Sequence, residues 1–425
     1  MNIALISYHT CPLATLGGKD TGGMNVYVRD LTRYLGELGI HADVFTRSQD
    51  EHVPHVLHDL GYGNRIVHIP AGPETPLPKE QLYTHLDTFT ENIQEFARSK
   101  NIHYDLIHSH YWLSGLAALK LRERWQVPVL QMFHTLAYLK NRIAKSPQEL
   151  EGSLRLTSER KIVQEVDGII AATEIEKEEL QQHYAAVPQK ITVLPPGVDL
   201  CRFYPIPQDE AKAVIGIPST EKVILYVGRI EPLKGIDNLL KAIALLRKSD
   251  VLTACPHYVA IIGGDPEKPR DLLDREMRHL QDMNRSLGLD DMVVFLGKKA
   301  QDSLPYYYSA SEVVVMPSHY ESFGMVALES MACGTPVIAT KVGGLELLVQ
   351  DEITGLSVPD DDPESLAVQL KRMLCKEGLR KELSKNCLEF AQDFSWSIIT
   401  RELIEIYQRM VAGSIQDHPE HPNHV

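Results

Sequence analysis

The sequence predicts an α/β protein of two Rossmann-like, doubly wound halves, each a mostly parallel sheet covered by helices. Three observations carry that expectation. The chain has 425 residues, more than one hydrophobic core ordinarily serves, and a length that suits two domains of similar size. Short apolar runs alternate with amphipathic segments throughout, the pattern of strands buried under covering helices. The punctuation Pro195-Pro196-Gly197, with a polar stretch running on to Pro207, interrupts the alternation midway, and the pattern restarts after it.

Taken in order, the strand expectations of the first half are residues 3–7, 42–46, 66–69, 106–108, 129–132, 168–171 and 191–194. Those of the second half are 223–227, 259–262, 293–296, 313–316 and 337–339. Trp396 to about Ala412 reads as one helix, and residues 418–425 carry Pro and His without an apolar pattern, as a loose tail does. The expected divisions are 1–198, 199–395, a helix at 396–412 and a tail at 413–425. Open α/β sheets bind ligands outside the carboxyl ends of their strands, so two such halves predict a cleft there. Each motif below follows a predicted strand on that side.

Composition narrows the classes. Hydrophobic content of 44% and charged content of 24% are globular values. A net charge of −14 argues against nucleic acid or an anionic membrane surface as partner, and an anionic substrate then needs a local basic pocket. The 6 cysteines form no C-x-x-C pair, which points to reduced thiols and a cytoplasmic protein. The 18 histidines include no metal-binding spacing, so no metal is expected; His108 and His110, alternating at a strand end, are expected to line the cleft. The N-terminus lacks the basic flank and apolar core of a signal peptide, and no apolar run is long enough to span a membrane.

Four stretches carry chemistry. The first is His9-Thr10-Cys11-Pro12 followed by Gly17-Gly18-Lys19-Asp20-Thr21-Gly22-Gly23-Met24-Asn25, a glycine pair entering a helix, where backbone approaches a bulky anion closely. It is neither a Walker loop nor G-x-G-x-x-G, and a surface loop fits the residues as well. The second is Gly228-Arg229-Ile230-Glu231-Pro232-Leu233-Lys234-Gly235, which sets two cations at a turn where they can neutralise a diphosphate leaving group. The third, Glu321-Ser322-Phe323-Gly324-Met325-Val326-Ala327-Leu328-Glu329, brackets a helix start with two carboxylates. A helix start receives an anion and a carboxylate receives a diol, so this stretch suits a nucleotide sugar. The fourth is His134-Thr135-Leu136-Ala137-Tyr138-Leu139-Lys140-Asn141, a loop with imidazole, hydroxyl, cation and amide for a polyhydroxylated acceptor.

These residues resemble the family 4 retaining glycosyltransferases, over nearly the whole chain from Asn2 to the helix at Trp396. The most specific match is E-x7-E with its Ser-Phe-Gly core, with Gly-Arg-x4-Lys-Gly upstream. The resemblance implies the two-domain GT-B fold, with the C-terminal helix crossing back to the N-terminal domain. It implies that Arg229 and Lys234 hold the donor diphosphate and Glu329 the ribose. Glu321 and the backbone of Phe323, Gly324 and Met325 would hold the donor sugar, and Val326 would belong to the donor site. Gly23 would approach the diphosphate, His134 would face the sugar, and Lys299 would border the uracil.

Within that family the first half is most similar to the branch that adds N-acetylglucosamine to inositol phosphate in mycothiol synthesis. The strings His9-Thr10-x-Pro12, Asp20–Tyr27, His108–Gly115 and His134–Asn141 carry this similarity. It implies that Lys79, Tyr111, Thr135 and Arg155 hold the acceptor phosphate and that Asn25 touches the acceptor ring. Sucrose-phosphate synthases, whose acceptor is fructose 6-phosphate, are close relatives. The implied activity is retaining transfer of glucose or N-acetylglucosamine from a UDP-sugar to a phosphorylated polyol or sugar, inositol phosphate foremost, with no cofactor. A sucrose-phosphate synthase, a UDP-sugar 2-epimerase of the same fold and a non-catalytic nucleotide-sugar binder stay as rivals. The partners implied are the small-molecule substrates, and a homodimer is compatible with the family.

Overall fold

The structure is a computed structural model that describes residues 1–14, 21–144, 147–248 and 257–417. Residues 17–20 of the first glycine motif and the tail at 418–425 lie outside the described residues. Among the described residues two compact units emerge: 1–14, 23–195 and 396–417 form one, and 21–22 with 196–395 form the other.

The first unit is built on eight strands: β1 (Asn2–Ile6), β2 (His41–Arg47), β3 (Val56–Leu57), β4 (Arg65–Ile69), β5 (Leu106–His110), β6 (Val129–Met132), β7 (Gly168–Ala171) and β8 (Ile191–Val193). They lie in the order β3-β4-β2-β1-β5-β6-β7-β8, parallel throughout except for the β3/β4 pair. The chain winds outward from β1 in one direction and then, from β5, in the other. The pair β1/β5 is therefore the switch point where the loops part. Ile3, Leu5, Val44, Ile107, Val129 and Ile170 are fully buried, as strands covered on both faces must be. The helix Trp396–Asp417, five residues longer than expected, belongs to this unit. Its Trp396 packs edge-on against Tyr27 of the helix Gly23–Glu37, with ring centroids 5.2 Å apart.

The second unit carries β9 (Lys222–Val227), β10 (His257–Ile262), β11 (Val293–Gly297), β12 (Val313–Met316), β13 (Val337–Thr340) and β14 (Gly355–Val358). The order is β11-β10-β9-β12-β13-β14, all parallel, with the switch point at β9/β12. Ile224, Val259, Val313 and Ile338 anchor the core beneath helices Ile236–Lys248 and Pro363–Cys375. Burial of each such side chain contributes about 1.5–3 kcal/mol.

Two strands escape the sequence pattern. β3 is only two residues long, and β14 opens on Gly355, whose added Cβ would lie 2.3 Å from the Val337 carbonyl oxygen. A glycine there reflects close backbone approach. β5 also runs two residues past its expected end, where Ser109 and His110 pair with Gln131 and Met132 of β6, and the Ser109 hydroxyl is satisfied in the interior by Gln131 Oε1 (2.5 Å). His108 and His110 are both 0% exposed, so they lie inside the unit and do not line an accessible wall.

Candidate functional site

In the second unit, the loops after β9 and β12 flank the switch point and are knitted together. Gly235 sits at φ +61°, and a Cβ there would lie 2.0 Å from the Pro317 carbonyl oxygen, so the turn after Lys234 tolerates only glycine. The His319 amide donates to the Leu233 carbonyl at 2.9 Å, and His319 Nδ1 meets Asp360 Oδ1 at 2.7 Å. Across this junction Lys234 Nζ pairs with Glu321 Oε2 at 2.5 Å, both side chains about one-sixth exposed (15% and 16%). Arg229 pairs with Glu231 at 2.7 Å, and its carbonyl accepts from the Tyr226 hydroxyl at 3.0 Å.

Glu321 is fixed from behind by the turn Val342-Gly343-Gly344. The Gly344 amide donates to the Glu321 carbonyl at 2.9 Å, and a Cβ on Gly343 would lie 2.1 Å from that oxygen. Gly324 then turns the chain at φ +108° into the helix Met325–Ala332. The first amides of that helix, at Met325 and Val326, have no intrahelical carbonyl to bond and carry its partial positive charge. Phe323 is buried, 6.2 Å from the Phe394 ring. Glu329 is buried too: Tyr308 donates to its Oε2 at 2.8 Å and Gln301 to its Oε1 at 3.3 Å. Lys299 lies over the Tyr307 ring, 5.9 Å from its centroid, and makes no bond to Arg229, Lys234, Glu321 or Glu329 among the described residues.

In the first unit, two non-glycine residues at positive φ mark the loops after β5 and β6: Tyr111 at 78° and His134 at 61°. Backbone held in such regions costs on the order of 1–3 kcal/mol and persists where the surroundings impose it. Here they do. The Tyr111 amide donates to the Met132 carbonyl at 2.9 Å, and its own carbonyl accepts from Gly115 at 3.0 Å.

Two of the expected phosphate ligands, Lys79 and Arg155, lie over the ring of a third, Tyr111, and the fourth, Thr135, is bonded to Arg155. Lys79 Nζ lies 5.6 Å from the ring centroid and Arg155 Cζ 4.7 Å. Arg155 Nη2 donates to the Thr135 carbonyl (2.8 Å) and hydroxyl (3.0 Å). Arg155 is buried, and its charge is matched by Glu159 at 2.7 Å and Glu151 at 2.9 Å. Burial opposes that charge, yet Tyr111, Glu159 and Glu151 hold its pKa above the ordinary arginine value. Asn25, 1% exposed, donates to Thr10 Oγ1 and the Cys11 carbonyl, both at 2.8 Å, and so ties its helix to the loop after β1. Gly23 is the exposed first residue of that helix.

His134 Nε2 meets His110 Nδ1 at 3.1 Å, and the Tyr27 ring packs edge-on against it at 5.1 Å. Burial pushes the His134 imidazole down to about 3 and His110 well below its ordinary value, with His108 and His134 adding to the His110 shift. Among the described residues no group of three or more His, Cys, Asp or Glu has the arrangement to hold a metal ion, and no helix is long and apolar enough to cross a membrane.

Sequence reading missed the partners that hold these groups: Tyr308 and Gln301 behind Glu329, Glu159 behind Arg155, and His110 behind His134. A helical spacing did exist for one of them, since Arg155 and Glu159 lie four residues apart in the helix Ser153–Glu165.

Residues 21–202 match the family profile described as Glycosyltransferase Family 4, and residues 207–390 match Glycosyl transferases group 1. The D-inositol 3-phosphate glycosyltransferase of Saccharomonospora viridis is 40% identical over 416 residues, covering 97% of this chain and 94% of that one. That of Actinosynnema mirum is 40% identical over 406 residues, covering 95% and 96%. The sucrose-phosphate synthase of Thermosynechococcus elongatus superposes with a TM-score of 0.88 at 35% identity, over 97% of this chain and 99% of its own. The HepE protein of Anabaena, solved in complex with UDP-glucose, shares the fold at TM-score 0.72 and 19% identity, over 96% and 100% of the two chains. With one half matching each profile and relatives at this identity spanning almost all of it, the chain belongs to the family 4 glycosyltransferases of GT-B fold.

Proposed function

We propose that this glycosyltransferase moves glucose or N-acetylglucosamine from a UDP-sugar to a hydroxyl of inositol phosphate, with retention of configuration. The observation that carries the acceptor assignment is the pocket around the Tyr111 ring, where Lys79 Nζ lies 5.6 Å from the ring centroid and Arg155, 4.7 Å from it, holds Thr135 in place. Such a pocket favours a phosphorylated acceptor through charge-assisted hydrogen bonds. Asn25 is assigned to the acceptor ring. The D-inositol 3-phosphate glycosyltransferase relatives support the choice of inositol phosphate over fructose 6-phosphate.

On the donor side, Arg229, Lys234 and the amides of Met325 and Val326 are assigned to the diphosphate, with Gly23 approaching it. Glu329, steadied by Tyr308, is assigned to the ribose, and Lys299 to the uracil edge. Glu321, the backbone of Phe323 and Gly324, and His134 are assigned to the sugar. The acceptor hydroxyl attacks the face from which UDP departs, and its proton passes to the leaving phosphate oxygen. Lys234 and Arg229 stabilise the negative charge that develops there, so the reading requires no metal ion. The free thiols Cys11, Cys201, Cys333, Cys375 and Cys387 fit a reducing cytoplasm.

The test is UDP release from UDP-glucose and UDP-N-acetylglucosamine, each crossed with inositol phosphate and fructose 6-phosphate. Release with inositol phosphate supports the proposal and selects the donor. Release only with fructose 6-phosphate would make this a sucrose-phosphate synthase. Donor consumption without any acceptor or transferred product would make it an epimerase.

A further inference from the structure

We propose that His110 fixes the tautomer of His134, so that His134 turns an N–H at Nδ1 outward and keeps a bare lone pair at Nε2. This rests on the reading that His134 faces the donor sugar.

Side chains two apart on a strand share a face, and the rings of His108 and His110 accordingly lie 4.3 Å apart inside the first unit. His110 Nδ1 meets His134 Nε2 at 3.1 Å, a hydrogen bond for which one of two neutral rings must supply the proton. Two arrangements are open. If His134 donates, the single proton of His110 sits on its Nε2. That atom is buried with no partner among the described residues, so an N–H would be stranded there. If His110 donates, its Nε2 keeps only a lone pair. In protein backbones buried N–H groups are left orphaned more rarely than acceptors are, and the same preference applied to the imidazole favours the second arrangement.

The surroundings favour the second arrangement independently. The Tyr27 ring sits edge-on to His110 at 5.5 Å, and its hydroxyl is also buried without a partner among the described residues. Next to Tyr27 lies Trp396, whose indole N–H can only donate and is likewise unmatched. Of these unmatched neighbours the Trp396 indole can only donate, so a lone pair on His110 Nε2 adds no further stranded donor to the interior, where an N–H would. His108 Nδ1 meets the Tyr407 hydroxyl at 2.7 Å, and its Nε2 has no partner among the described residues, so His108 does not bond His110. Burial lowers the pKa of both His110 and His134, which keeps each ring neutral with one proton near pH 7.

An imidazole whose outward nitrogen carries the proton cannot accept one from the acceptor hydroxyl. It can donate a hydrogen bond to a sugar hydroxyl. His110 is then a positioning residue acting through His134, and the acceptor proton must go elsewhere, in line with its passage to the leaving phosphate.

Long-range 1H–15N NMR correlations on the ligand-free full chain, labelled at histidine, read the tautomer directly. His134 should show a protonated Nδ1 and an unprotonated Nε2. A proton on Nε2 in the wild-type protein would overturn the proposal. His110→Asn places an amide N–H near the lost Nδ1 and should keep both the His134 tautomer and activity. His110→Leu removes the donor. It should release the tautomer and lower kcat about tenfold, the worth of one good hydrogen bond, with little change in donor KM. A His110→Leu variant with the wild-type His134 spectrum would also overturn the coupling. Undiminished activity in His134→Ala would remove His134 from the sugar while leaving the spectroscopic result to stand, which separates the two failures.

Discussion

Lys234 in the second unit and Arg155 in the first are both cations near their unit's switch point, yet they are held in opposite ways. Lys234 has one carboxylate partner, Glu321, and both side chains keep about one-sixth of their surface. Arg155 is 4% exposed at its side chain and bonds Glu159, Glu151 and Thr135 together. Glu159 in turn is fully buried and accepts from the Ala137 amide (3.0 Å) and the Tyr184 hydroxyl (2.5 Å). A cation with one accessible partner can trade it for a ligand's phosphate. A guanidinium whose donors are committed acts by shaping its surroundings, here by fixing Thr135 and stacking on Tyr111. The lesson is that a charge for chemistry and a charge for architecture differ in what happens when they are removed.

The largest expected effect tests the first half of that contrast. Lys234→Ala should lower kcat on the order of 10²- to 10³-fold, the cost of losing one preorganised stabiliser of developing charge. Its thermal unfolding should stay close to wild type, because Glu321 retains access to water. Calorimetry beside steady-state kinetics decides this. Full activity would remove Lys234 from the diphosphate, and a collapse in stability would erase the contrast. Arg155→Met should do the reverse and cost about 3–5 kcal/mol of stability, because Glu159 is left buried and unpaired. Urea unfolding measures it. Adding Glu159→Met should restore most of the loss, since a paired charge replaced by packed apolar groups is often neutral. A single variant as stable as wild type would show that Arg155 is held for ligand after all.

How legible was this in the sequence? The parallel strands were, because runs such as Val313–Met316 are buried on both faces and read as continuous apolar stretches. The loops carrying Arg229, Lys234 and Glu321 were too, since each follows such a run. The membership in a glycosyltransferase family and the two-sheet architecture were expected from these motifs and are what the comparisons show. Partnerships were not legible. His108 and Tyr407 meet across 299 residues of sequence, and Lys234 reaches Glu321 across 87. Nor did local sequence reveal that Glu329 is buried behind Tyr308, because a helical glutamate reads as solvated until its neighbours are placed.

The buried histidines extend the contrast to pH. Burial pushes His108 from 6.5 down to about 3, with His134 adding to the shift. Below about pH 6.5 the unfolded chain binds a proton that the folded chain refuses. The stability attached to His108 is therefore complete above that pH and declines as pH falls from there toward 3, by about 1.4 kcal/mol per pH unit. Urea unfolding at pH 7.5 and 5.5 should show a steeper acid loss in wild type than in His108→Gln. Equal slopes would mean that His108 titrates normally.

The smallest expected effect sharpens the contrast within the second unit itself. Glu329 and Glu321 are both assigned to the donor, but Glu321 is partnered by a cation that a ligand can displace, while Glu329 is oriented by the neutral donors Tyr308 and Gln301. Removing the Tyr308 hydroxyl leaves the carboxylate in place and only loosens its aim. Burying the phenol raises its pKa well above the ordinary value, with Glu329 adding to the shift, so it remains a donor at any working pH. Tyr308→Phe should therefore raise the donor KM about fivefold, one hydrogen bond's worth, and leave kcat nearly unchanged. A fall in kcat with KM intact would instead place Glu329 in the transition state, and its partner Tyr308 would then belong with Lys234 among the groups held for chemistry.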